Sequence, residues 1–154
     1  IHSHQLSYWL SIYKKDILKS SVVICGFDNM ETREKVFNDW VDYISTLNLA
    51  EKKKKLFIDA RLSLEEWQIF AFTGDNNNAQ KEYRENWIFK DDVALQEPCS
   101  AKQTAYSATM IASFICNLVV NYSYNQQTLP WKRPLPFKTC YNALNMLLYF
   151  KYVN

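Results

Sequence analysis

The stretch "SVVICGFDNMETREKVFNDW", residues 21 to 40, decides how this chain folds. It opens with a short β-branched apolar run, Val22 to Cys25, which is typical of a buried strand. Gly26 and an Asp-Asn pair follow. From Met30 to about Leu47 the apolar residues recur at helical spacing between charged positions, which predicts an amphipathic helix. A strand that passes through a short loop into a helix is the building unit of α/β folds.

Two further strands are predicted downstream. The segment "KLFIDARL", residues 55 to 62, indicates a second buried strand, and strand, helix and strand in this order imply a right-handed parallel crossover. The segment "EWQIFAFT", residues 66 to 73, predicts a strand that is apolar on both faces. "TGDNNN" then indicates a turn or surface loop. "YRENWIFKDD", residues 83 to 92, is predicted to be one more short extended piece.

The flanking segments predict helices and loops. Residues 5 to 19 place apolar side chains at helical spacing, and residues 103 to 122 are strongly apolar. A buried core helix is favoured over a membrane span for the latter, because polar residues interrupt it and its cleanest apolar stretch is shorter than the ~20 residues needed. Residues 90 to 101 indicate a loop that crosses over the sheet. The end of the chain, after three prolines, is compatible with strand or helix.

Composition indicates a globular protein of one domain, or a fragment of one. The chain has 154 residues, of which 48% are hydrophobic and 22% charged. A net charge of +2 is too small to indicate nucleic-acid binding, and the run "KKKK" at residues 52 to 55 is interpreted as a solvated strand end or loop. The first residues carry no basic-then-apolar leader pattern, but the chain begins with Ile, which suggests a fragment or a processed piece. We expect a cytoplasmic protein.

The cysteines and glycines exclude two kinds of site. No structural zinc is expected, because no two cysteines of the chain form a C-x-x-C pair. The cysteines are Cys25, Cys99, Cys116 and Cys140. Cys25 and Cys116 stand in apolar runs, which predicts buried reduced thiols. The two isolated glycines of the chain cannot form a G-x-G-x-x-G or Walker loop, so the usual phosphate cradle is not expected in this chain.

Asp28 has two interpretations. In the first, Asp28 or Asn29 caps the following helix, and Asp28 with Glu31 forms a D-x-x-E capping box. In the second, Asp28 lies just past the carboxyl end of a parallel strand and holds Mg²⁺ on the phosphates of a nucleotide. The two roles are compatible, because a carboxylate has two oxygens. Arg33 is either an exposed helix charge or a group that forms an ion pair or contacts phosphate.

Two further candidates are Cys99 and the pair Asp59 and Arg61. In "EPCSAKQ", Ser100 and Gln103 match an S-x-x-Q capping box, so Cys99 directly precedes a helix N-terminus, which lowers a thiol's pKa. The default interpretation of Cys99 is nevertheless a partly buried loop cysteine. Asp59 and Arg61 straddle a strand end and point to the same face, which favours a structural ion pair over a pocket-lining one.

Four segments carry a family resemblance: "VVICGFDNMETR", "LFIDARLSLEEWQIFAF", "EPCSAKQTAYSATMIASFICNLVVNY" and "PFKTCYNAL". In this order they resemble the ThiF/MoeB/HesA superfamily, the adenylating domains related to ubiquitin-activating enzymes. The resemblance is above all to divergent bacterial and phage-associated ThiF-like proteins. It covers about residues 20 to 145.

The resemblance implies a fold and an activity. The fold is α/β, a three-layer Rossmann-like sheet with mixed parallel and antiparallel strands. The activity is adenylation of the C-terminus of a ubiquitin-like or sulfur-carrier protein with ATP and Mg²⁺. Asp28 is similar to the acidic residue that supports Mg²⁺-ATP, Asn29 and Arg33 belong to the same D-N-x-x-x-R motif, and Cys99 falls where some members keep a cysteine that forms a thioester.

The chain also departs from the family. The family's glycine-rich loop, ribose-binding acidic residue, phosphate-contacting lysine and partner-donated arginine all precede the position of Asp28, and only 27 residues precede it here. The expectation is therefore the C-terminal half of a ThiF-like enzyme, competent only with an N-terminal half. The alternative is a catalytically inactive ThiF-like scaffold or interaction subunit. A homodimer or a companion chain is expected, with neither nucleic acid nor membrane as a partner.

Overall fold

The computed structural model of the chain describes residues 14–89 and 105–153. Residues 14 to 19 are helical, in agreement with the end of the first predicted helix. The elements that follow are β1 (Val22–Cys25), α1 (Met30–Ser45), α2 (Leu49–Lys52), β2 (Leu56–Ser63), β3 (Glu66–Thr73), α3 (Asn77–Asn86), α4 (Ala105–Asn125), β4 (Lys138–Asn142) and β5 (Leu147–Lys151). The predicted α/β class is confirmed.

The strands of the described ranges form one mixed sheet in the order β1-β2-β3-β4-β5. β1 and β2 are parallel, with Cys25 opposite Asp59, and the other neighbours are antiparallel. The predicted parallel pairing of β1 with β2 and the predicted mixed sheet are therefore confirmed. The apolar end of the chain, left open between strand and helix, forms the hairpin of β4 and β5.

The start of α1 is set by Asn29. Its backbone is extended, with φ −125° and ψ 149°, and its side chain accepts a hydrogen bond of 2.8 Å from the backbone N–H of Thr32. This is N-cap geometry, which satisfies one of the free donors of the first helical turn. The capping box predicted for Asp28 and Glu31 is wrong, because the cap lies one residue later.

Alternate residues of β2 and β3 enter two different core clusters, as expected for the two faces of a sheet. The first cluster joins phenylalanines of these strands to side chains of α1 and α3; its buried aromatic members are Phe37, Trp40, Phe57, Phe70, Phe72, Tyr83 and Phe137. The second joins the intervening strand residues to α4; its members include Leu56, Ile58, Trp67, Ile69, Ile111, Leu118 and Tyr122. The prediction that residues 66 to 73 are apolar on both faces is confirmed.

Helix α3 contradicts the sequence-based prediction. Residues 83 to 86, expected to be extended, form its last turn, and Asn77 and Asn78 begin it rather than lying in a loop. The side chain of Asn76 caps the helix by accepting a 2.9 Å hydrogen bond from the backbone N–H of Ala79. Burial of the Tyr83 ring among the aromatic side chains of the first cluster then stabilises the helix.

Helix α4 is confirmed as a helix but is buried along one stripe only. Its buried residues are Ser107, Ile111, Leu118 and Tyr122. Within the described ranges it is the one helix long and apolar enough to cross a membrane by length and composition, and 22% of its most apolar window is buried. The prediction that Cys116 is buried is wrong. Cys116 follows Ile111 by five positions, which turns it about 140° away from the sheet-facing stripe.

Candidate functional site

A cleft of about 480 Å³ opens at the carboxyl ends of the parallel strands β1 and β2. The loop after β1, the end of β2 and helix α4 form its walls, which include Gly26, Phe27, Asp28, Arg33, Ala60, Arg61, Leu62, Phe89, Ile111 and Ile115. Its volume lies in the ~300–1,000 Å³ range of ligand sites. Its position is the one at which open α/β sheets commonly bind ligands. Three of the predicted site elements, Asp28, Arg33 and Arg61, therefore meet in one place.

Asp28 lies at the mouth of this cleft and is exposed to solvent. Its Oδ1 accepts a hydrogen bond of 3.1 Å from Nδ2 of Asn29. Since the other amide atom of Asn29, Oδ1, accepts from the N–H of Thr32, Asn29 links the helix cap to the carboxylate. The Asn of the D-N pair therefore orients Asp28.

Arg33 is buried, so its interpretation as an exposed helix charge is wrong. Its guanidinium donates to the carboxylate of Asp59, to the carbonyl of Phe27, and to the carbonyl of Ala60 at 3.1 Å. It thereby ties the loop that carries Asp28 to the end of β2. Arg33 acts here as a structural cation.

Asp59 is the centre of a buried polar network and is fully buried. Its Oδ2 accepts hydrogen bonds from Nε of Arg61 at 2.7 Å and from the hydroxyl of Tyr83 at 2.8 Å, while Oδ1 accepts from Arg33. Arg61 also donates to the carbonyl of Trp87 at 2.8 Å. The predicted pair of Asp59 and Arg61 is confirmed.

The network also sets the protonation of its members. For the Arg61 guanidinium, burial lowers the pKa, but the negative charge of Asp59 and the hydrogen bonds to Asp59 and Tyr83 outweigh this and the pKa is raised. Burial and the charge of Asp59 both raise the pKa of Tyr83, so its hydroxyl remains a donor at neutral pH. Burial, followed by the charge of Asp59, raises the pKa of the Cys25 thiol to about 12. Cys25 is therefore a buried reduced thiol, as predicted, and a poor nucleophile.

The sequence offered an ion pair as one interpretation of Arg33 but did not reveal Asp59 as its partner, and it did not indicate Tyr83 at all. Arg33 and Tyr83 lie 26 and 24 positions from Asp59, and no local pattern joins them. The parallel pairing of β1 and β2 was a weak signal for the contact between Arg33 and Asp59. It places Cys25 beside Asp59, and it thereby brings the first turns of α1 near the end of β2. The apolar walls supplied by Ile111 and Ile115 also went unrecognised.

The cleft can support Mg²⁺ only in part. Within residues 14–89 and 105–153, no three His, Cys, Asp or Glu side chains are placed to hold a metal ion together. The lone carboxylate of Asp28 does suit Mg²⁺, which is often bound by one or two carboxylates plus substrate phosphates. Arg33 and Arg61 already donate to Asp59 and to backbone carbonyls. The cleft thus offers one acidic ligand and an apolar wall, and its two arginines are committed to the network.

Cys99 and the predicted crossover loop at residues 90 to 101 lie outside the described residues. The role predicted for Cys99 therefore stays a prediction.

No protein-family model matches this sequence, and the curated proteins compared with it include no match. The function proposed below accordingly rests on the cleft, on the residues that line it and on the motif resemblance.

Proposed function

We propose that this chain is the C-terminal part of a ThiF-like adenylating enzyme that works in the cytoplasm. Its substrate is the C-terminal carboxylate of a ubiquitin-like or sulfur-carrier protein, and its co-substrate is ATP with Mg²⁺. The observation that carries the proposal is the cleft at the carboxyl ends of β1 and β2, with Asp28 at its mouth. In open α/β sheets this is the common position of a nucleotide.

The proposal includes a three-layer Rossmann-like arrangement completed by an N-terminal half. The two core clusters, one with α1 and α3 and one with α4, support helices on both faces of the sheet. The exposure of β1 supports the presence of a further segment beside it. Ile24 belongs to this strand and is 53% exposed, whereas parallel strands are ordinarily covered on both faces. A companion half would cover this strand and supply the phosphate loop, either as an upstream segment or as a partner chain.

Each site residue has its own role in this proposal. Asp28 holds Mg²⁺, which when bound neutralises charge on the phosphates. Asn29 caps α1 and orients the Asp28 carboxylate. Arg33 positions the Phe27–Asp28 loop through the carbonyl of Phe27 and the carboxylate of Asp59, so it acts on phosphate only through the loop. The apolar wall of Ile111 and Ile115 excludes water from the cleft.

The proposed chemistry has two steps. The carrier's carboxylate oxygen forms a bond to the α-phosphorus of ATP, and the bond from that phosphorus to pyrophosphate breaks. The thiolate of Cys99 then attacks the acyl carbon, and AMP leaves with the electron pair of the acyl–oxygen bond. The S-x-x-Q pattern at Ser100 predicts a helix start directly after Cys99, and a thiol in that position is suited to the second step because the helix dipole stabilises its thiolate.

Replacing Asp28 by alanine in the completed protein is expected to slow exchange of pyrophosphate into ATP by about 100-fold, the usual effect of removing one electrostatic contact to a transition state. The measurement is incorporation of labelled pyrophosphate. Asp42→Ala, which removes an exposed carboxylate from the far end of the same helix, serves as the matched control. Exchange that survives Asp28→Ala unchanged would exclude the proposed role of Asp28.

Replacing Cys99 by alanine is expected to abolish a thiol-sensitive adduct between enzyme and carrier while leaving pyrophosphate exchange intact. The adduct is measured by gel electrophoresis with and without reducing agent. Cys116→Ala is the control, since Cys116 is an exposed thiol on α4. An adduct that persists in Cys99→Ala but is lost in Cys116→Ala rules out Cys99 as the acyl acceptor.

One observation favours a second candidate, a catalytically inactive ThiF-like scaffold. Both arginines of the cleft are bonded to Asp59 and to backbone carbonyls, an arrangement that serves folding without any nucleotide. The discriminating finding is a strand followed by G-x-G-x-x-G, either upstream of Ile1 or in a companion chain. Its presence favours the enzyme, and its absence favours the scaffold.

A further inference from the structure

We propose that the outer edge of β5 pairs with the same strand of a second copy of this chain, so that the protein forms a closed dimer through a continuous sheet. β5 ends the described sheet, with β4 on one side only. Its first four residues are all exposed. This inference is independent of the adenylating activity, because it rests on the hairpin alone.

The hairpin of β4 and β5 carries the largest run of exposed apolar side chains in the described chain. Seven large ones are between 39 and 79% exposed: Leu144, Met146, Leu147, Leu148, Tyr149, Phe150 and Tyr152. On the scale of about 200 Å² for a large side chain, they leave roughly 800 Å² open. This total is spread over the turn and both faces of β5, because successive strand residues point to opposite faces. It is therefore an upper limit on what pairing can bury, and it reaches the ~800 Å² that each partner buries in a standard interface.

The edge of β5 lacks the features that keep a strand edge monomeric. Natural edges are protected by charged side chains, proline or bulges. The segment from Leu147 to Phe150 contains no charge and no proline. Lys151, which follows, is held by α3, since its Nζ lies 2.6 Å from Oε1 of Glu82. When a strand pairs with its own copy, any charged side chain in it comes close to a like charge. The central residues of β5 are uncharged, so this pairing causes no repulsion among them.

A two-fold axis at Tyr149 gives a register that suits these side chains. Antiparallel pairing about the middle residue sets Leu148 opposite Phe150 of the second copy and Tyr149 opposite its own copy. Aromatic–aliphatic and aromatic–aromatic cross-strand pairs stabilise antiparallel sheets. Such an interface uses the same patch on both subunits and closes at two. The other edge, β1, has four residues and one large exposed apolar side chain, Ile24, so β5 is the favoured edge.

Sedimentation equilibrium of the 154-residue chain tests the proposal. We expect a mass of about 36 kDa, twice the 18.2 kDa of the monomer. A loading concentration of about 50 μM is sufficient, because interfaces of this size bind with micromolar or tighter affinity. The double variant Leu147→Lys/Tyr149→Lys is expected to be monomeric, since it sets like charges opposite each other. Ile24→Lys, equally exposed but on the other edge, is expected to stay dimeric.

Circular dichroism of the three proteins establishes that the variants remain folded. A second variant, Tyr149→Cys in a Cys116→Ser/Cys140→Ser background, tests the register independently of the lysine variants. Cys140 is removed because it lies opposite position 149 in β4 and would otherwise capture the new thiol within one chain. Oxidation by diamide should yield a disulfide-linked dimer, and Ile24→Cys in the same background should not. A wild-type mass of 18.2 kDa overturns the proposal. Open-ended aggregates, or a dimer broken by Ile24→Lys and not by the double variant, overturn it equally.

Discussion

Replacing Asp59 by asparagine is expected to remove about 3–5 kcal/mol from the free energy of unfolding, because it leaves buried arginines without their counter-ion. Asp59 is fully buried and accepts hydrogen bonds from Arg33, Arg61 and Tyr83. Asparagine has nearly the same shape but supplies one acceptor oxygen and no charge. The carboxyl ends of β1 and β2 would loosen together, and with them the loop that carries Asp28.

Urea unfolding measures this effect. With a slope of about 2 kcal/mol/M, a loss of 4 kcal/mol lowers the midpoint by about 2 M. Tyr83→Phe, which removes one donor from the same carboxylate, should cost only about 1–2 kcal/mol. Asp39→Asn, which removes a carboxylate near Lys14 and Lys35 at the surface of α1, should cost less than about 1 kcal/mol. A midpoint for Asp59→Asn equal to that of Asp39→Asn would contradict the structural role assigned to Asp59.

Replacing Trp40 by alanine is expected to cost about 3–5 kcal/mol, the second large effect. Trp40 is fully buried, and its ring centroid lies 5.2 Å from that of Phe57 and 5.9 Å from that of Phe72. Its indole N–H has no hydrogen-bond partner among the described residues, so the loss is one of apolar packing. Since Trp40 packs α1 against the sheet, the substitution also weakens the placement of Arg33.

Thermal unfolding followed by circular dichroism measures this loss. For a chain of this length, 4 kcal/mol lowers Tm by roughly 10 °C. Trp131→Ala is the matched control, because Trp131 is 65% exposed and its removal should change stability by less than about 0.5 kcal/mol. Equal Tm values for the two variants would contradict the assignment of Trp40 to the core.

The strands and α1 were predictable because their patterns are local. β1, β2 and β3 follow from runs of apolar and β-branched residues, and α1 follows from apolar spacing of three and four. The pair of Asp59 and Arg61 was predictable for the same reason, since side chains two apart in a strand share a face. These features depend on neighbouring residues alone.

The errors share a different cause. Asn77 and Asn78 were predicted to lie in a loop and residues 83 to 86 to be extended, yet residues 77 to 86 form α3 because Asn76 caps the helix and Tyr83 packs among distant phenylalanines. Cys116 stands in an apolar helix, but the side of α4 that faces the sheet is chosen by packing of β2 and β3 against Ile111 and Leu118. Local composition carries no information about either partner.

The sequence by itself determined the α/β order of elements, the parallel step from β1 to β2 and the placing of Asp28 at a strand end. The tertiary structure alone decided three features. Arg33 points inward to Asp59, Asn29 is the N-cap residue of α1, and the apolar side chains of β5 are exposed at the edge of the sheet. The physical reason is the distance along the chain over which each interaction acts. Hydrophobic periodicity and turn chemistry act within a few residues, whereas a buried ion pair or an exposed edge exists only once segments distant in the chain are packed together.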